Sequence, residues 1–262
     1  MRPNPVREAW KAGKPIVNGW CAIPSSFSAE VMAHQDWDAI TVDCQHGLVD
    51  YIDAVHMFQA ISTTSKPPMA RVPWNDPAAI MKLLDAGAQG IIAPMINSRE
   101  ECQAFVGAVK YPPVGYRSNG PIRAVLYSGS DYVKEANDTI LAIAMIETDK
   151  AIQNLDEILS TPGLDGIYIG PSDLALSYGR APVLDPTDQF VYDKMMEILA
   201  GAKKHGVPAG LHCGTAEFAL KMIEAGFLLT TIANDSRMMT IGCQQELGKM
   251  KGAVKKESGS PY

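Results

Sequence analysis

The sequence predicts a single-domain α/β protein, a closed (β/α)8 TIM barrel. Three observations carry that expectation. Short apolar runs alternate with amphipathic stretches from end to end, the runs number eight, and a chain of 262 residues is the size of one such barrel. Alternation favours a parallel sheet, and the count closes it. An open doubly wound sheet is the alternative, but no G-x-G-x-x-G follows the first run, which removes the commonest signature of that fold.

In order, the strands are expected near Val17–Ala22, Ala39–Asp43, Pro68–Val72, Gly90–Pro94, Ile140–Glu147, Gly166–Gly170, Pro208–His212 and Leu228–Ile232. The fifth is apolar from Leu141 to Ile146, as in a strand covered on both faces, and then meets Glu147. A carboxylate at that depth costs several kcal/mol unless a cation, a hydrogen-bond network or water compensates it. Between the strands lie the helical stretches "DPAAIMKLLDAG", "SREECQAFVGAVK", "NLDEILSTPG" and "TAEFALKMIEAG", several of which close on Gly or Pro as helix C-termini do. One connection is out of proportion: "YPPVGYRSNGPIRAVLYSGSDYVKEAND", between the fourth and fifth strands, has the length of a segment that caps a site or binds a neighbour. The domain is expected over residues 1–250, and the polar tail "KGAVKKESGSPY" (251–262) is expected to be loose.

Composition narrows the function. A net charge of −6 and a pI near 5.4 argue against nucleic acid as the main partner. No apolar run has the length of a membrane span, and "MRPNPVREAWKAGKP" lacks the apolar core of a signal peptide. Cys21, Cys44, Cys102, Cys213 and Cys243 form no C-x-x-C pair, which suits reduced thiols in the cytoplasm better than a disulfide frame or a zinc site.

In a barrel, chemistry belongs at the C-terminal ends of the strands. Asp43 and His46 follow the second strand, Arg71 ends the third, Glu147 ends the fifth and Asp173 follows the sixth in "GPSD". Each alone has an ordinary explanation, as a solvated or structural residue; their convergence is the signal. Glu147 and Asp173 offer hard oxygen ligands with no sulfur and no H-x-x-x-H, which favours Mg²⁺ or Mn²⁺, or Co²⁺. "GPSD" is either an ordinary turn and helix cap or a close approach to a ligand, with the Ser172 and Asp173 amides on a substrate carboxylate. Arg71 can neutralise charge developing on an oxygen, and His46 can move protons near neutral pH. Asp85 either orients such a histidine or is a solvated acid at a helix end.

"VPWNDP", "YPPVGYR", "IET", "GIYIGPSDLALS" and "ANDSRMM", in this order, resemble the HpcH/HpaI family of metal-dependent pyruvate aldolases, of the 4-hydroxy-2-oxoheptanedioate or 2-keto-3-deoxy-sugar-acid aldolase type. The resemblance runs from "NPVREAWKAGKP" to about Leu247 and implies a phosphoenolpyruvate/pyruvate-type barrel. It implies Glu147 and Asp173 as metal ligands, Arg71 as the group stabilising the enolate, and His46 as the base with Asp85 behind it. Gly170, Ser172 and Asp173 would lie on the pyruvate carboxylate and Trp20 on the pocket wall. The reaction implied is reversible aldol cleavage of a 4-hydroxy-2-oxo acid to pyruvate and an aldehyde, through a metal-bound pyruvate enolate. Two positions depart from the family: Gln45 stands where relatives often carry Glu, and Met145 where many carry Gln. A Schiff-base mechanism would need a lysine near a strand end; Lys110 and Lys150 are nearest, and neither reads as buried. A CoA-ester lyase and a non-catalytic keto-acid binder are the rival readings, and Arg117, Arg123 and His212 are candidates for aldehyde selection. The resemblance also implies a homohexamer that exchanges C-terminal helices, in keeping with Met238, Met239, Ile241, Leu247 and Met250 after the last strand.

Overall fold

Alternation along each strand decides which side chains meet on the barrel axis. In the computed structural model, which describes residues 1–251, eight parallel strands close in sequence order. They are β1 Ile16–Cys21, β2 Ala39–Asp43, β3 Pro68–Arg71, β4 Gly90–Ala93, β5 Leu141–Met145, β6 Gly166–Ile169, β7 Ala209–Cys213 and β8 Leu229–Ile232. The pairing of Asn18 with Thr231 joins β1 to β8 and excludes the open sheet. Each expected strand lies within two residues of its predicted ends. The expected tail lies outside the described residues, apart from Lys251.

One parity of each strand points inward. Ile16, Trp20, Ala39, Met69, Ile92, Leu141, Ile143, Met145, Tyr168 and Leu229 form the apolar interior. The opposite parity, including Ile40, Val42, Ala70, Ile91, Ala142, Ala144, Ile167, Ile169 and Leu211, packs under the surrounding helices. Continuing the inward parity toward the C-terminal ends gives Trp20, Asp43, Arg71 and, two residues past β5, Glu147. The interior therefore changes from apolar to charged along its axis. At the other end the first helix, Pro5–Lys11, closes the barrel: Val6 and Trp10 join the interior cluster, and the Trp10 indole donates to the Leu228 carbonyl at 3.0 Å.

The long connection holds two helices, Ile122–Ser128 and Tyr132–Thr139. It does not cap the strands' C-terminal ends within its own chain. The helix Arg99–Val109 runs back antiparallel to β4, so Lys110 arrives at the N-terminal end of the barrel. There its ammonium donates to the carbonyls of Asn137 and Ile140, at 2.8 and 2.7 Å. The last helix, Asp235–Lys251, behaves differently: of its 17 residues only Asp235 is buried, and Met239, Ile241, Leu247 and Met250 are exposed. No helix among the described residues is long and apolar enough to cross a membrane.

Candidate active site

Asp43 and Arg71 are register partners on β2 and β3, so alternation sends both inward side by side. Arg71 grips Asp43 with two donors, Nε to Oδ1 at 2.9 Å and Nη2 to Oδ2 at 2.5 Å. Asp43 also accepts the Trp20 indole at 3.1 Å and the backbone N–H groups of Gln45 and His46 at 3.0 and 3.2 Å. Burial alone would raise the Asp43 carboxyl, but the Arg71 charge and these hydrogen bonds outweigh it and hold the group below its ordinary range. The guanidinium sits over the Trp20 ring, 4.9 Å from its centroid. Trp20 is 1% exposed, so it lies beneath Arg71 instead of lining an open wall.

Glu147 is buried, and its Oε1 accepts the Met95 N–H at 2.9 Å. Burial raises its pKa to about 7; the negative charge of Asp173 adds to this, while the Met95 N–H and Arg71 oppose it. Glu147 Oε2 accepts no hydrogen bond among the described residues. It faces Gly170, where an added Cβ would come within 2.3 Å of that oxygen, so the glycine of "GPSD" is needed to leave room for the carboxylate. Met145 shares the face: its methyl carbon would stand 3.2 Å from the same Cβ. Pro171 then starts the helix Pro171–Ser177, with Asp173 in its first turn and Ser172 beside it. No group of three His, Cys, Asp or Glu residues placed to hold a metal occurs among the described residues. The two acids do fit a hard divalent cation, because a buried carboxylate with one unpartnered oxygen sits beside a second negative charge.

His46 is exposed on the loop after β2, tied to the site through its backbone. Asp85 is not brought to it within the chain. It ends the helix Pro77–Asp85, which runs back from β3 to the N-terminal end of the barrel, and there it pairs with Arg117 at 2.7 Å. Arg117 also meets the Tyr132 hydroxyl at 3.0 Å, and Arg123 donates to the Ala86 carbonyl at 2.6 Å, so both arginines hold the far end together. His212 points into the barrel with Nδ1 3.0 Å from the Tyr168 hydroxyl; burial pushes its pKa down to about 3 and keeps it neutral. Lys110 corrects the sequence reading: it is 2% exposed, but two carbonyls and Asp165 (2.9 Å) saturate its donors at the wrong end for chemistry. Lys150 is exposed. Two contributors escaped the sequence reading, which left Asp43 without a role and did not consider Met95. Adjacent strand ends would have paired Asp43 with Arg71; a backbone donor such as Met95 N–H carries no letter of its own.

The sequence profile of the HpcH/HpaI aldolase/citrate lyase family matches residues 20–237. A hydroxypyruvate/pyruvate aldolase from Rhizorhabdus wittichii is 42% identical over 242 residues, which are 92% of this chain and 96% of that protein. A 4-hydroxy-2-oxo-heptane-1,7-dioate aldolase from Salmonella arizonae is 32% identical over 260 residues, 98% of each chain. Among solved structures, an HpcH/HpaI aldolase/citrate lyase family protein from Burkholderia cenocepacia superposes with a TM-score of 0.89 at 28% identity, covering 95% of this chain and 99% of that one.

Proposed function

The chain belongs to the HpcH/HpaI aldolase/citrate lyase family and is a carbon–carbon lyase, and from that premise we propose that it cleaves 4-hydroxy-2-oxo acids reversibly to a small 2-oxo acid and an aldehyde, with a divalent metal held by Glu147 and Asp173. The single observation that carries this reading is Glu147, a buried acid beside a second acid with no cation among the described residues bonded to it. When bound, the metal supplies Lewis-acid stabilisation of the enolate. Mg²⁺, Mn²⁺ and Co²⁺ all suit an all-oxygen donor set.

The chain's own groups do the rest. Asp43 occupies Nε and Nη2 of Arg71, which leaves Nη1 to meet the charge developing on the 2-oxo oxygen. The Ser172 and Asp173 amides, beside Gly170, receive the carboxylate. His46, at the exposed mouth, takes the 4-hydroxyl proton in cleavage and returns it in synthesis. The relative from R. wittichii bears hydroxypyruvate as well as pyruvate in its name, so both are proposed as donors, and the aldehyde partner is to be read from a panel of acceptors. The free cysteines suit a cytoplasmic protein. The exposed apolar side chains of the helix Asp235–Lys251 support self-association, proposed as a homohexamer exchanging these helices.

The test is 2-oxo-acid release by the chelated enzyme and after metal is restored. Chelation should abolish turnover, Mg²⁺, Mn²⁺ or Co²⁺ should restore it, and Glu147→Ala and Asp173→Ala should not be rescued. Full activity without metal, or borohydride trapping of substrate on a lysine, would overturn the proposal.

A further inference from the structure

Among the described residues Met95 is one of two non-glycine residues with positive φ, at +56°. A side chain in the left-handed region is disfavoured, and it persists only where surrounding contacts hold it. Here the twist has a use. It carries the chain off the barrel axis directly after the Met95 N–H, so that Ile96 rejoins the outer core while the N–H still reaches Glu147 Oε1 at 2.9 Å.

The contacts that hold this turn converge on Asn97. Its side-chain Nδ2 donates to the Met95 carbonyl at 2.8 Å, and its Oδ1 accepts the hydroxyl of Thr148, the residue next to Glu147. Its backbone N–H donates to Glu101 Oε2 at 2.6 Å, and its carbonyl accepts Asn154 Nδ2 at 2.8 Å. A closed circuit results: Glu147 leads covalently to Thr148, Thr148 bonds Asn97, Asn97 bonds Met95, and Met95 returns to Glu147. Two hydrogen bonds of this circuit join the turn after β4 to the segment after β5, the Met95 N–H to Glu147 and the Thr148 hydroxyl to the side-chain amide of Asn97.

We propose that Asn97 is a positioning residue for metal binding, a strap that keeps Met95 in its left-handed turn so that the Met95 N–H fixes Oε1 of Glu147 and leaves Oε2 for the cation. This rests on the assignment of Glu147 as a metal ligand. Groups that orient a ligand in this way commonly change metal affinity by about 10- to 100-fold when removed.

The decisive measurement is Mn²⁺ affinity of the metal-free, full-length protein by calorimetry, with circular dichroism as the check on folding. Asn97→Ala should weaken Mn²⁺ binding by about tenfold or more. Adding Met95→Gly to that variant should recover most of the loss, because glycine adopts positive φ without a strap. Met95→Val, with Asn97 intact, should also lose affinity, because a β-branched side chain resists that conformation. Wild-type affinity in Asn97→Ala, alongside lost binding in Glu147→Gln, would overturn the strap and leave the metal assignment standing. Wild-type affinity in Glu147→Gln would overturn both. If Asn97→Ala does not fold, Met95→Val decides: undiminished Mn²⁺ affinity there refutes the proposal.

Discussion

Arg71 and Asp43 face each other from neighbouring strands through two hydrogen bonds, and both side chains are buried. The pairing makes the direction of the guanidinium a property of the barrel and not of a flexible side chain. Asp43→Asn should therefore impair aldol cleavage and pyruvate proton exchange together, as Arg71→Ala should, the latter by about 10²-fold for losing a key charge contact. Chemical denaturation should show a further loss of roughly 3–5 kcal/mol for Asp43→Asn, since the buried cation is left uncompensated. Arg71→Lys should not restore activity, because an ammonium cannot reproduce the forked grip. Near-normal kinetics in Asp43→Asn would refute the coupling.

Glu147 makes the metal-free protein's stability depend on pH. Its folded pKa is about 7 against an ordinary 4.5, so the folded chain holds this proton more tightly than the unfolded chain. Below pH 4.5 both states are protonated and the contribution is absent. Between pH 4.5 and 7 the unfolded chain ionises first, so folded stability falls as pH rises, by about 3 kcal/mol in total, and then levels off. Urea denaturation of the metal-free protein should show this decline, and Glu147→Gln should flatten it. A divalent cation should restore stability above pH 7; a flat wild-type profile would contradict the assignment.

His46 should separate two partial reactions. If it handles the 4-hydroxyl proton, His46→Ala should damage aldol cleavage far more than proton exchange at the methyl group of pyruvate, followed by deuterium incorporation. Equal losses would place His46 in the enolate step or in holding the site.

The helix Asp235–Lys251 should govern assembly. Truncation before Ser236 is expected to dissociate the protein and remove activity, whereas trimming residues 255–262 should leave both intact. Light scattering of the full-length enzyme at low concentration decides the matter: a monomeric mass with full activity excludes helix exchange.

Much of this was legible in the sequence because strands covered on both faces declare themselves as unbroken apolar runs, as Leu141–Ile146 does, and because the charge ending such a run is conspicuous. Within its own chain Asp85 lies away from His46 for a physical reason: a helix following a strand returns to the opposite end, so its last residue is about a barrel's height from the strand's C-terminus. Lys110 was misjudged because its burial depends on three acceptors from two later segments, around Asn137–Ile140 and Asp165, which no local pattern reports. The left-handed turn at Met95 was invisible because methionine is not a residue that announces positive φ.

The close approach of Gly170 to Glu147 bears on any attempt to redesign the enzyme for new aldehydes. Position 170 sits in the cradle where a mutational library would naturally be aimed, yet its vacant side-chain volume already belongs to the carboxylate. Library members altered there would fail by displacing Glu147, whichever acceptor was offered, and a screen would score them as inactive when they carry no information about selectivity. Diversity at this site is better placed where side chains border open space, with glycine retained at 170 as part of the catalyst.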